Sequence, residues 1–155
     1  MEIEVTINGK AKTLTIEPNE LLIDVLRKEG YKGVKRGCAE GSCGSCTVIL
    51  NGRAVKSCIL FAAQTHGRSI ITIEGIGTRE NPHPLQQAFV DEGAVQCGFC
   101  IPGLILSAKA LLDRNPTPTK DDVKIALDGN LCRCTGYSGQ IKAVLNAAAV
   151  MRGEK

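Results

Sequence analysis

Hydrophobic and polar positions change rhythm halfway along this chain. Ile3, Val5 and Ile7 alternate with polar residues, Asn8-Gly9 interrupts, and Leu14 and Ile16 take up the alternation again. A period of two on either side of Asn-Gly predicts a β-hairpin with a two-residue turn. Pro18-Asn19 closes it, and Asn19 is placed to cap a helix over residues 20–29. There Leu21, Leu22, Val25 and Leu26 share one face, and Gly30 suits the stop. Thr47-Val48-Ile49-Leu50 and Ala54-Val55 flank a second Asn-Gly pair, Asn51-Gly52, predicting another hairpin. Residues 69–74 read as a last strand. Strands crossed by one helix make a β-grasp unit over residues 1–76.

Residues 77–84 fall in a stretch rich in glycine, proline and charge, without periodicity, and read as a linker. From there to residue 155 the period is helical. A short helix is expected over 85–92, ended by Gly93. Pro102-Gly103 opens a stronger one, with Leu104, Ile105, Ala108, Leu111 and Leu112 on its apolar side. Asn115-Pro116-Thr117-Pro118 stops it. Thr119 and Asp122 have capping-box spacing and start a third helix toward Gly129. A fourth, rich in Ala and Val, spans about 140–151. The second half is therefore a small four-helix bundle, and the whole chain is α+β.

Cysteine changes this picture most. The chain of 155 residues holds eight cysteines, no Trp, two Tyr and three Phe. Two small domains with so few aromatics have thin cores, so metal ligation is expected to supply part of their stability. Cys38, Cys43 and Cys46 are spaced C-x4-C-x2-C, and Cys58 follows. That is the plant-type ferredoxin spacing for a [2Fe-2S] cluster. Gly37, Gly41 and Gly44 let the loop turn tightly and leave N–H groups free to face sulfur. Zinc competes, but zinc sites favour C-x2-C pairs over a three-cysteine loop. The helical half carries Cys97-Gly98-Phe99-Cys100 and Cys132-Arg133-Cys134. Alone, that set also suits zinc or a redox dithiol. Each pair precedes a helix start, however, and two helix N-termini aimed at one anionic centre favour a second [2Fe-2S] cluster.

Other features exclude more than they suggest. Met1 leads straight into the first strand, with no basic and apolar leader and no membrane-length apolar run. A cytoplasmic protein without membrane insertion is expected, in a compartment that disfavours a disulfide framework. The formal charge of +3 does not indicate a nucleic-acid partner. Two oxidised clusters with their thiolates, at about −2 each, would bring it to about −1. His66 and His83 are single histidines expected in surface loops. Lys32, Lys35 and Arg36 form a small basic patch suited to solvent or an acidic partner. Gly75-Ile76-Gly77 lacks the third glycine of a dinucleotide loop.

Gly37 through Cys46, Cys58, Gln96-Cys97-Gly98-Phe99-Cys100 and Gly129-Asn130-Leu131-Cys132-Arg133-Cys134-Thr135-Gly136-Tyr137 together resemble the iron–sulfur part of the xanthine oxidase family of molybdenum hydroxylases. The likeness runs from Ile3 to about Ala148. It implies a plant-ferredoxin-like domain followed by a four-helix domain. It also implies a large molybdopterin-binding partner near the helical-domain cluster, and a medium FAD-binding partner toward the other. By the same resemblance Gln96 touches the molybdopterin, and Cys100 lies on the electron path from it. The chain departs from the family in reading Cys100-Ile101-Pro102-Gly103 where Cys-Thr-Pro-Gly is common, and in the run Ser138-Gly139-Gln140-Ile141. No acid, base or nucleophile with a catalytic role is visible. The expected function is an electron relay, with a free ferredoxin-type carrier and a zinc-stabilised adaptor as rivals.

Overall fold

The computed structural model describes residues 1–154. Strands β1 (Glu2–Ile7) and β2 (Lys10–Thr15) form the first hairpin, and β3 (Thr47–Leu50) and β4 (Arg53–Lys56) the second. Both turns need two consecutive residues at positive φ, and Asn8-Gly9 (52° and 78°) and Asn51-Gly52 (46° and 80°) supply them. Strand β5 (Ser69–Ile71) slots between the hairpins, parallel to β1 and antiparallel to β3, giving the order β2-β1-β5-β3-β4. It is shorter than the expected strand over 69–74, because the Asn8 side chain takes the Thr72 N–H and the chain then winds into a single 3-10 turn, Ile73–Gly75.

Helix α1 (Leu22–Lys28) crosses the sheet and buries Leu22, Ile23, Val25 and Leu26 against Ile3, Val5, Ile7 and Val48. Its end follows the sequence: Gly30 at φ 96° lets Gly30 N–H reach Arg27 O and Tyr31 N–H reach Leu26 O, a Schellman closure. Its start does not. Asn19 caps nothing. Leu21 is the N-terminal flanking residue, because Glu20 O and Leu22 N are committed to backbone bonds with Ala62 and Leu60.

The helical half comprises α2 (Pro84–Asp91), α3 (Ile101–Leu112), α4 (Lys120–Leu127) and α5 (Ser138–Met151). Phe89, Leu85, Leu104, Val123 and Val144 centre its core. Thr119 and Asp122 form the expected reciprocal cap, with Asp122 N–H on Thr119 Oγ1 at 3.2 Å and Thr119 N–H on Asp122 Oδ2 at 2.8 Å. His83 is more than a surface loop residue. Half-buried, it accepts the Leu85 N–H on Nδ1 at 3.2 Å while Gln86 Oε1 accepts its own N–H, so it caps α2. Among the described residues no helix is long and apolar enough to cross a membrane.

The two halves are joined by packing. Leu106 and Ala110 of α3 press on Ile49 of β3, with Ile71, Ile73 and Ile76 around them. At the near end of this seam Gly103 and Gly44 approach so closely that a Cβ on Gly103 would lie 2.2 Å from Gly44 O. Asn130, buried, bridges the same spot, its Nδ2 donating to Ser107 Oγ at 2.9 Å while Thr47 Oγ1 lies 3.4 Å from its Oδ1. Lys56 Nζ donates to Gly129 O at 2.8 Å.

Two outcomes follow for stability. Gly103→Ala gains up to about 1 kcal/mol of helix propensity, yet the clash with Gly44 backbone should outweigh it and leave a net loss of about 1–3 kcal/mol in thermal unfolding. Burial, helped by Lys109, lowers the His83 pKa. The unfolded chain thus takes up the proton first, so His83 stabilises the fold above about pH 6.5 and loses that contribution as pH falls toward its depressed folded value. His83→Asn, which keeps the capping acceptor but does not titrate, should flatten the slope of Tm against pH in that window.

Candidate iron–sulfur centres

The first cysteine group hangs from the edge of the sheet. Residues 37–46 loop out ahead of β3, and Cys58 returns at the end of β4 in a 3-10 turn, Ser57–Ile59. The register Thr47↔Lys56 brings the two ends together, and Ser57 ties them by donating its N–H and hydroxyl to Cys46 O at 3.3 and 2.7 Å. Loop curvature forces Ala39 to φ 68°, a region that disfavours side chains, and Gly41 to 86°. A Cβ on Gly37 would lie 2.7 Å from Cys43 Sγ, so glycine there makes room for the sulfur.

The thiols meet two by two. Cys43 N–H points at Cys38 Sγ across 3.4 Å, and Cys46 and Cys58 share a thiol hydrogen bond. In the helical half Cys134 and Cys97 sulfurs are 3.7 Å apart, and Cys100 contacts Cys132. Cys97 and Cys134 are exposed, whereas Cys46, Cys58 and Cys100 are buried. No three His, Cys, Asp or Glu converge on one point among the described residues. The donor set fits the group that the spacing implies: four soft thiols in two pairs per site, with backbone N–H groups already turned toward sulfur.

Those N–H groups act on the thiols directly. Cys38 falls to about 6, chiefly through the Glu40 and Cys43 backbone N–H groups. Cys132 settles at about 7, where burial opposes ionisation but the Thr135 hydroxyl and N–H outweigh it. Cys97 is lowered first by the Phe99 N–H. Three other thiols move the other way. Burial, then the Cys46 thiol, pushes Cys58 up to about 11; burial, then the Cys132 thiol, pushes Cys100 up to about 12; and the bond to Cys97 raises Cys134. Cys38, Cys97 and Cys132, with their own N–H donors, are ready to carry negative charge, whereas buried Cys58 and Cys100 need an external cation to do so.

The second group is braced by Tyr137, whose role the motif does not show, and by Gln96. Tyr137, held at φ 71° just before α5, accepts the Cys132 N–H on its hydroxyl at 2.8 Å. Gln96, exposed, donates Nε2 to Cys134 O at 3.2 Å and so ties the two cysteine segments to each other. Cys100 is the residue flanking the N-terminus of α3, and α5 starts shortly after Cys134.

The two groups also touch each other. Leu131 N–H donates to Cys43 O at 2.8 Å, so one hydrogen bond links a cysteine of the first group to the residue before Cys132. Lys35 adds a second tie, its Nζ lying 3.5 Å from Gly98 O and 5.2 Å from the centre of the Phe99 ring. The basic patch stays at the surface, with exposed Arg36 paired to Asp24 and exposed Lys32 bonded to Arg27 O.

Loss of the Tyr137 hydroxyl tests this bracing. Tyr137→Phe leaves the Cys132 N–H without its acceptor and should cost about 1–3 kcal/mol. Slower reconstitution of the helical-domain centre alone, followed by its visible absorption and by unfolding of the loaded chain, is the expected result.

Comparison with known proteins finds two iron–sulfur domains in the chain. Residues 5–69 match the family described as 2Fe-2S iron-sulfur cluster binding domain, and residues 72–145 the [2Fe-2S] binding domain. The small FeS subunit of nicotinate dehydrogenase from Eubacterium barkeri is 52% identical over 87% of this chain and 87% of its own length. The xanthine dehydrogenase iron-sulfur-binding subunit of Escherichia coli O157:H7 is 44% identical over 93% and 92%. Among solved structures, quinoline 2-oxidoreductase from Pseudomonas putida 86 superposes at TM-score 0.92 with 43% identity, over all of this chain and 98% of that one. The aldehyde oxidoreductase of Desulfovibrio desulfuricans gives TM-score 0.97 and 48% identity, but this chain spans only 17% of its length. The chain is thus a two-cluster electron-transfer protein, and it belongs to the small iron–sulfur subunits of the xanthine oxidase family of molybdenum hydroxylases.

Proposed function

We propose that Cys38, Cys43, Cys46 and Cys58 hold the first [2Fe-2S] cluster and Cys97, Cys100, Cys132 and Cys134 the second, and that the chain is the fixed wire between a large molybdopterin-binding subunit and a medium FAD-binding subunit. Bound there, each cluster accepts and returns one electron at a time. The protein's own contribution is to fix the distance between the centres, aim N–H groups at sulfur and keep water away from Cys46, Cys58 and Cys100. The division proposed is a ferredoxin-like unit over 1–76, a connector over 77–84 and a helical unit over 85–155.

The observation that carries the reading is the single hydrogen bond from Leu131 N to Cys43 O. It makes the two sites neighbours in series, as a relay requires and a single-cluster shuttle does not. Electrons pass from the molybdenum site to the helical-domain centre, then to the ferredoxin-like centre and the flavin. Gln96, beside Cys97 and anchored to Cys134 O, supplies the contact with the molybdopterin. Three exposed apolar side chains stand next to cysteines: Ile59 (59% exposed), Phe99 (45%) and Leu131 (57%). Covering them is the work of the partner subunits. The assembly is cytoplasmic, and its substrate is chosen in the large subunit.

Native purification through a tag on this chain tests the proposal. Two larger subunits should co-elute with molybdenum, flavin and about four irons per small chain. Cys58→Ser and Cys134→Ser should each abolish one of two distinct EPR signals of the reduced protein and leave the other. A solitary chain with iron would support a free carrier instead, and zinc in place of iron would overturn both.

A further inference from the structure

Gln140 occupies a position that helical periodicity reserves for an apolar side chain. On α5 it lines up with Ala143, Val144, Ala147 and Ala148, all buried, at the i, i+3, i+4, i+7 and i+8 spacing of a core-facing stripe. Its exposure is 0%. The other glutamines, Gln64, Gln86, Gln87 and Gln96, are all exposed or half-buried. Burying an amide is unfavourable unless its hydrogen-bonding groups are satisfied. Here Oε1 has no partner in the protein, and it is the one buried side-chain oxygen or nitrogen so left among the described residues. Nε2 has one neighbour to donate to, the sulfur of Cys100, at 4.0 Å. Cys100 is itself 8% exposed, so water does not compete for that sulfur.

We propose that Gln140 is a positioning residue that tunes the helical-domain cluster by donating an N–H···S hydrogen bond to Cys100. The proposal rests on the reading of Cys100 as a ligand. A thiolate ligand is a charged acceptor, and a donor held against it in a water-poor site makes a stronger bond than it would to a neutral thiol. Adding an electron makes the ligand sulfurs more negative, so the donor stabilises the reduced centre more than the oxidised one and raises its potential. The amide is already turned with its N–H end toward sulfur. A leucine or methionine would fill the same space in the stripe without that effect.

The test uses the complete assembly. Gln140→Leu and Gln140→Met keep the volume and remove the donor, and an EPR-monitored redox titration follows both clusters separately. The helical-domain cluster should become harder to reduce by about tenfold in its reduced-to-oxidised ratio at fixed potential, a downward shift of about 59 mV for one electron. The ferredoxin-like cluster should not move. A purely structural role for Gln140 predicts lower Tm with both potentials unchanged, and that result in either folded variant overturns the proposal. Wild-type protein carrying 15N in its glutamine side-chain amides gives a measurement independent of any variant. Pulsed EPR of the reduced helical-domain cluster should show coupling to that nitrogen, and its absence also overturns the proposal. If the wild type lacks the helical-domain signal altogether, it is the ligand assignment that fails.

Discussion

Everything in this molecule depends on how closely two backbones approach at Gly44 and Gly103. With no Cβ on Gly103 the N-terminal turn of α3 rests on Gly44 of the first cysteine loop, and with none on Gly44 the Gly129-Asn130 backbone lies against that loop as well. Asn130 and Thr47 saturate the polar groups trapped there, and Leu131 donates to Cys43 O as a result. A relay between two metal centres is a problem of distance, and this contact sets the distance. The apolar seam of Ile49, Leu106 and Ala110 then keeps the halves from rocking about it. A bundle and a sheet joined only by a flexible connector would hold the same cofactors without holding their separation.

Local chemistry was legible in the sequence. Asn8-Gly9 and Asn51-Gly52 needed nothing beyond their own φ preferences to form turns, and Gly30 and Thr119 ended and started helices where their side chains and backbones dictate. Errors came where a distant segment competed. Asn19 lost its cap because residues 60–62 claimed the backbone beside it, and the last strand was cut short when Asn8, far away in sequence, took the Thr72 N–H. His83 was misjudged for a related reason. Composition shows an imidazole, but not whether the Leu85 N–H lies within reach.

The cysteine sites divide in the same manner. Spacing made the thiols easy to pick out, since a tight loop is a local object. Their bracing was hidden: the roles of Tyr137 and Asn130 depend on contacts across the fold, and the motif showed only that they adjoin cysteines. Gln140 is the sharpest case. The run around it stood out as unusual, yet a glutamine near a helix start reads as solvent-facing until its neighbours on α5 prove to be core. Pattern alone could not distinguish a polar residue placed at the surface from one placed against a sulfur.

The bond between Leu131 and Cys43 also has a consequence for the order in which the protein is made. The first four cysteines, Cys38 to Cys58, all emerge from the ribosome before any helix of the second half, and the residues that shape their loop lie mostly between them. The second set is complete only at Cys134, and the loop carrying Cys132 docks on a carbonyl of the first loop. The later loop therefore closes against an earlier one that already lies in the chain. Bringing Cys97 and Cys100 to Cys132 and Cys134 closes a longer stretch of chain and carries the larger entropic cost, which the preformed loop offsets. A defect in the first loop thus takes a docking point away from the second.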